Sequence, residues 1–438
     1  MFIRNFFTGT LIVWTLLSAQ VQADLVFDRW SENITITEQG QKVEVDAEAH
    51  VKLPANYYYD RWSYQFDKES SIEVQEAQVN GASRFSFSRN ELVFDCGRLV
   101  NGDKVRLRFV YIEREANTKS WFIRSWVQIP SWLSGIQGYI KVTIPDTLKV
   151  CSIHQGFSHD GTVYEWRGVV PKGGFKSLFQ LTPRSGAWDV TVQNQLASSR
   201  SFSKVELWYP RYFEAGSQSF SDYRLIPYIS ADREAQEGRY HHLVYARAGV
   251  KELMTTIKAS VFTGGPVIAP LLSPAEYLRN PTNEERTLKK LTEQVLQKNT
   301  AALPLYVFLG QWVHAYVTYA FSMNGRTVST LQIIEGRRGV CEHFAQLYTA
   351  LCRSAGIPAV MVSGYAYNAE RGWQEHAWVM VYVSGSWIPV DPTWGLFSGV
   401  VPVSHIAFYY EGVHSSKYVM EDTNSEVRAS TTVTVTPR

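Results

Sequence analysis

The segment from Gly339 to Gly395 restricts the fold of this chain more than any other. It opens with Gly339-Val340-Cys341-Glu342-His343, after which Phe344, Leu347, Tyr348 and Leu351 recur at spacings of three and four. That spacing predicts a helix with one buried face, Cys341 in its first turn, and a stop at Gly356 and Pro358. Three apolar, β-prone runs follow: Ala359 to Tyr365, Ala377 to Val383, and Trp387 to Val390. His376 precedes the second run and Asp391 ends the third. A cysteine, a histidine and an aspartate therefore fall at three junctions between elements.

These positions suit nucleophilic chemistry. The first N–H groups of a helix have no intrahelical partner, and the positive end of the dipole favours a thiolate at Cys341. The turn Ser384-Gly385-Ser386 makes the second and third strands antiparallel neighbours, which sets His376 beside Asp391. The aspartate then holds the imidazole while it takes the thiol proton.

The order of these blocks resembles the transglutaminase-like superfamily, thiol enzymes with a papain-type fold. The matching residues are Gly339-Val340-Cys341 with Ala345 and Leu351, Gly356-Ile357-Pro358, Gly364-Tyr365, His376-Ala377-Trp378 and Asp391-Pro392-Thr393-Trp394. His405-Ile406 before Ala407-Phe408-Tyr409-Tyr410 resembles the strand these domains carry after the aspartate. The likeness spans roughly residues 283 to 420. It implies an α+β catalytic domain with an antiparallel sheet and a triad of Cys341, His376 and Asp391. It also implies a thioester intermediate, which an amine, or water, resolves.

Other roles are less defined. The backbone N–H of Cys341 and a polar side chain are expected to bind the oxyanion, with Gln311 and Gln332 as candidates. Trp373 and Trp378, with Tyr365, Tyr367 and Trp394, are candidate cleft walls, although core packing is the default for such rings. No metal or other cofactor is expected. Cys341 and His343 project about 200° apart around a helix, and His241-His242 alternate across a strand. His343 is read as a helix-surface or cleft residue. Arg337 and Arg338 lie just before the nucleophile, either holding an anion or forming part of the cleft rim. Cys352 is about 16 Å along the helix from Cys341, too far for a disulfide, and reads as core. Cys96 and Cys151 either pair or remain separate buried thiols.

Upstream, Arg4 and the apolar run Phe6 to Leu17, ended by Val21-Gln22-Ala23, predict a signal peptide over residues 1–23. Export to a periplasmic or extracellular setting follows, with no transmembrane segment in the mature chain. From 24 to 183 the pattern is β: Asn33 to Thr37 and Lys42 to Ala47 flank the turn at Gln39-Gly40-Gln41. On the run Lys104 to Tyr111, Val105, Leu107 and Phe109 should face inward, with Arg106 and Arg108 outward. Such strands predict a sandwich-like region, as one large or two small modules, similar to those preceding transglutaminase-like domains in exported bacterial proteins. Residues 184–282 read as a β-rich connecting segment and 283–438 as the catalytic domain. That domain begins with helices at Thr282 and Pro304, the second with apolar positions through Phe321. The alternation Thr431 to Thr436 predicts a last strand, joining either the catalytic sheet or an earlier module.

A 45% hydrophobic chain with formal charge +2 has the means to build cores and nothing to recruit nucleic acid. Three functions stay open: thiol-dependent acyl transfer or hydrolysis on protein or peptide amides, a cysteine protease or amidase acting on envelope or wall peptides, and an inactive binding scaffold of the same fold.

Overall fold

Alternating burial from Leu25 onward organises the amino-terminal β region. A computed structural model describes residues 24–438 apart from 38–39, 55–56, 67–70, 115–120, 122, 154–155, 247, 271, 282, 301–302, 369, 412–416 and 421–425. The expected signal segment 1–23, Gln39 of the first turn and the helix-start residue Thr282 lie outside the described residues. The chain divides into two compact units, one reaching to Leu148 and resuming at Ile153–Leu181, the other formed by Lys149–Ser152 with Thr182–Arg438.

In the first unit Asp24–Thr37 and Gly40–Lys52 pair antiparallel, and Lys104–Arg114 adds to the second of them. Gln137–Thr143 runs parallel to Asp24–Thr37 on the other side. Val105, Leu107 and Phe109 are buried while Arg106 and Arg108 are exposed, the arrangement the alternation predicts. Trp30 is fully buried, with Phe27, Phe109 and Trp132 meeting it edge to face.

This core also encloses a carboxyl. Glu32 is buried and accepts a hydrogen bond from Trp30 Nε1 at 2.8 Å. Burial raises its pKa to about 7, against the Trp30 hydrogen bond and with help from Glu113. The folded unit thus keeps a proton that the unfolded chain releases near 4.5. Stability is full below that value and falls as pH rises through about 7, by roughly 3 kcal/mol. Thermal unfolding of the unit is expected to shift downward between pH 5 and pH 8. Glu32→Gln, which keeps the acceptor for Trp30, should flatten that dependence; identical slopes in both proteins would rule out Glu32 as its source.

The second unit holds three four-stranded sheets among its described residues. One orders Ser217–Pro227, Glu252–Val267, Gly186–Ser198 and Val427–Pro437. The last strand therefore returns to the segment after residue 184 and not to the sheet of the expected catalytic domain. A second sheet includes Tyr240–Tyr245, where His241 faces the Tyr223 hydroxyl at 3.0 Å. Its neighbour His242 sits between Glu237 and Glu206 at 2.6 and 3.0 Å. The third sheet orders Ser386–Val390, Gly372–Val383, Ala359–Asn368 and His405–Tyr410, all antiparallel.

Four helices accompany this third sheet: α1 Glu285–Leu296, α2 Leu305–Tyr316, α3 Thr330–Gly336 and α4 Cys341–Ser354. From α4, Phe344, Leu347, Tyr348 and Leu351 are buried against Val379, Val381 and Val390 of the sheet and Leu309 and Val313 of α2. Each such aliphatic side chain contributes roughly 1.5–3 kcal/mol by leaving water. Helix α2 stops at Tyr316, short of the expected Phe321, which is 65% exposed. The backbone beyond it is taken by the approach to Cys341: Thr318 N donates to Arg337 O and Ala320 N to Gly339 O.

Candidate active site

Cys341 is the first residue of α4, half-buried, with Val340 in extended conformation just before it. The turn that delivers it is held by His343. This imidazole is buried, where the sequence suggested a helix-surface or cleft position. Its Nδ1 accepts from Val340 N at 3.0 Å and its Nε2 donates to Arg326 O at 3.0 Å. Both nitrogens are committed to backbone, so His343 is a fastener for the turn. Gly339 is required beside it, because a Cβ there would stand 2.5 Å from His343 Cβ.

His376 and Asp391 are brought together. Val379 pairs with Val390 across antiparallel strands, so Asp391 falls opposite Trp378, and His376, two residues before Trp378 on the same face, is its diagonal neighbour. His376 Nε2 is 2.7 Å from Asp391 Oδ2, and both side chains are almost wholly buried. An ionised carboxylate only accepts, so Nε2 carries the proton and Nδ1 is left for another partner. Burial disfavours the charged imidazole, but Asp391 and Cys341 outweigh it and raise the pKa of His376. Burial likewise opposes the Asp391 charge, yet His376 and His405 hold its pKa below the usual carboxylate range.

Asp391 Oδ1 accepts from Thr393 N at 2.8 Å and from Trp394 N at 3.1 Å. Helix α2 steadies the same turn, with His314 Nδ1 donating to Pro392 O at 2.9 Å. Trp394 stacks on the His376 ring at 4.7 Å between centroids. Trp378 is fully buried beneath it, at 6.1 Å, and belongs to the core rather than to an open wall. Trp373 rests edge-on against Trp188 and beside Tyr367.

The two glutamines differ from one another. Gln332 caps its own helix: its Oε1 accepts from Ser329 N at 2.8 Å while its backbone N–H donates to Ser329 Oγ at 3.3 Å. Gln311 is half-buried in the middle of α2. Arg337 takes the left-handed conformation that ends α3 and lies over the Tyr316 ring, and Arg338 is exposed.

His405 joins the cluster, a position the sequence marked only as strand. Its Nε2 lies 3.1 Å from Asp391 Oδ2, the oxygen already bonded to His376. The ligand-type atoms of His376, Asp391 and His405 all fall within 4.8 Å of one another. Ligands on one tetrahedral zinc stand about 3.3 Å apart at zinc–ligand distances near 2.0–2.1 Å. The 2.7 Å separation of His376 and Asp391 is that of a hydrogen bond, and the cluster is built as one.

Comparison with known proteins places this region. Residues 289–392 match the model of the transglutaminase-like superfamily. This segment is a transglutaminase-like domain. The kyphoscoliosis peptidase of Mus musculus is 28% identical over 134 residues, 28% of this chain and 20% of that protein. An uncharacterized protein of Mycobacterium leprae is 32% identical over 105 residues, 22% of this chain and 37% of the relative. The chain thus spans well under half the length of these relatives. A solved structure of a proposed cysteine protease from Cytophaga hutchinsonii aligns with 58% of this chain and 91% of its own, at 19% identity and a TM-score of 0.45. Within the transglutaminase-like domain and the strand that follows it, no helix among the described residues is long and apolar enough to cross a membrane.

Proposed function

We propose that this chain is a cysteine-dependent enzyme acting on amide bonds of proteins or peptides, with Cys341 as nucleophile, His376 as base and Asp391 as its orienting anion. The observation that carries this reading is the buried His376–Asp391 pair, which leaves Nδ1 as the free face of an imidazole raised in pKa partly by Cys341. The Cys341 thiol proton passes to His376 Nδ1, and the sulfur forms a bond to the amide carbonyl carbon. Helix N–H groups at the start of α4 face the developing oxyanion. Collapse breaks the C–N bond, the leaving amine takes the proton from Nδ1, and an acyl-thioester remains. An amine then gives a new amide, or water gives an acid; in either case the thiol is regenerated.

The names of the mouse and human relatives favour peptide cleavage, whereas the superfamily name favours acyl transfer. The triad chemistry is common to both, and water exclusion from the cleft decides between them. The positive Arg4 and apolar run of the first 23 residues support an exported enzyme, for which envelope or wall peptides are the natural amides.

The first test is the pH dependence of Cys341 alkylation by a small haloacetamide, in wild type and His376→Ala. Reactivity should persist well below a thiol pKa of about 8.5 and be lost in the variant. An ordinary-thiol profile that ignores His376 would overturn the enzyme reading and leave a binding scaffold. With an activated thiol in hand, amine incorporation and peptide cleavage assays run in parallel separate transferase from peptidase.

A further inference from the structure

Asp391 is asked to do more than hold one histidine. Its Oδ2 receives two imidazoles, His376 Nε2 at 2.7 Å and His405 Nε2 at 3.1 Å, while Oδ1 receives two backbone N–H groups. We infer that His405 is a positioning residue for the proposed reaction: a neutral, permanent donor that fixes the Asp391 carboxylate, and through it the His376 ring. The inference rests on the triad reading above.

Three observations support it. The His405 side chain is fully buried, as is that of Asp391, so no water competes for the hydrogen bond. Its ring is wedged edge-on against three others, His376 at 5.4 Å, Trp378 at 5.1 Å and Trp394 at 4.8 Å, and it has no room to rotate away. The strand carrying it is clamped from outside the sheet. Gln218, itself buried, donates to Ala407 O at 2.7 Å and accepts from Ala407 N at 3.0 Å. On the inner side Gly364 lets that strand approach, since a Cβ at 364 would stand 2.1 Å from Ile406 O.

Neutrality matters to this role. Burial lowers the pKa of His405, and the neighbouring His376 charge lowers it further, against the pull of Asp391. A neutral Nε2–H strengthens the hold on the carboxylate without placing a second cation beside the imidazolium that forms on His376. A cation there would compete with His376 for the same anion and weaken the thiolate–imidazolium pair.

The test compares His405→Met, which fills the space without a donor, with His405→Gln, whose amide N–H is able to reach Oδ2. Haloacetamide alkylation of Cys341 is followed against pH. His405→Met should be slower at pH 6 by on the order of ten- to a hundredfold, its inflexion moving toward the ordinary thiol range. His405→Gln should keep the wild-type inflexion. A wild-type profile in His405→Met, or equal losses in both folded variants, would overturn the inference. Nitrogen-resolved NMR of the unmodified protein tests it without any substitution: His405 should be the neutral Nε2–H tautomer from pH 5 to 8, and a proton on Nδ1 would sink the idea. An activated wild-type thiol with an indifferent His405 defeats this inference alone. A wild-type thiol that is ordinary and indifferent to His376 defeats the proposed function.

Discussion

Asp391→Asn is expected to cost both catalysis and folding, which sets it apart from most active-site substitutions. Four N–H donors converge on the carboxylate, from His376, His405, Thr393 and Trp394. Asparagine offers one carbonyl oxygen and turns an NH2 group toward donors that need an acceptor. Turnover, or alkylation at pH 6, should fall on the order of 10³- to 10⁴-fold as the His376 ring loses its orientation. Stability should fall by about 3–5 kcal/mol, the usual cost of breaking a buried ion pair from one side. The pH dependence carries a sign. Asp391 has a folded pKa below its unfolded 3.8, so its stabilisation is present above about pH 4 and lost as pH falls. Denaturant unfolding at pH 7 and pH 3 should therefore show a large deficit for Asp391→Asn at the higher pH and a smaller one at the lower. Equal stability and rate at pH 7 would remove Asp391 from the triad.

Cys341→Ala should have the opposite profile, abolishing chemistry while leaving the fold intact. The side chain is half-buried at a helix start, and shortening it is expected to change stability by less than about 1 kcal/mol. Any amide turnover should fall by on the order of 10⁴-fold or more. The other three cysteines sharpen the experiment. Cys96, Cys151 and Cys352 are separate, free and buried. Burial pushes the Cys96 and Cys352 thiols up to about 12 and raises Cys151 as well. Folded Cys341→Ala should consequently resist haloacetamide altogether, as read by intact mass. Substrate-dependent covalent labelling that survives the substitution would exclude Cys341 as the nucleophile.

The helix that presents Cys341 was legible because its signal is local. Phe344, Leu347, Tyr348 and Leu351 repeat at the helical period, and all four are buried where that period puts them. The pairing of His376 with Asp391 was equally legible. A two-residue turn, Ser384-Gly385, joins their strands, and so short an antiparallel connection fixes the register that makes the two diagonal neighbours. His343 was misread for a related reason. Helical periodicity gave its direction but not the Arg326 carbonyl that covers it, seventeen residues away in sequence.

What the sequence determined by itself was thus the helix that begins at Cys341, the pairing of His376 with Asp391, and the alternating strands of the amino-terminal unit. Each depends on periodicity or on a turn of a few residues. Tertiary structure alone decided the second histidine and the strand that carries it. His405 follows Asp391 by fourteen residues but reaches it only because its strand pairs with Ala359–Asn368, on the far side of the His376 strand from Asp391. That strand is clamped by Gln218, 189 residues away, from a segment whose sequence gave no sign of the contact. A hydrogen bond across such a separation leaves no period and no spacing to read. It exists only once the sheets that carry its two ends have packed and excluded water from between them.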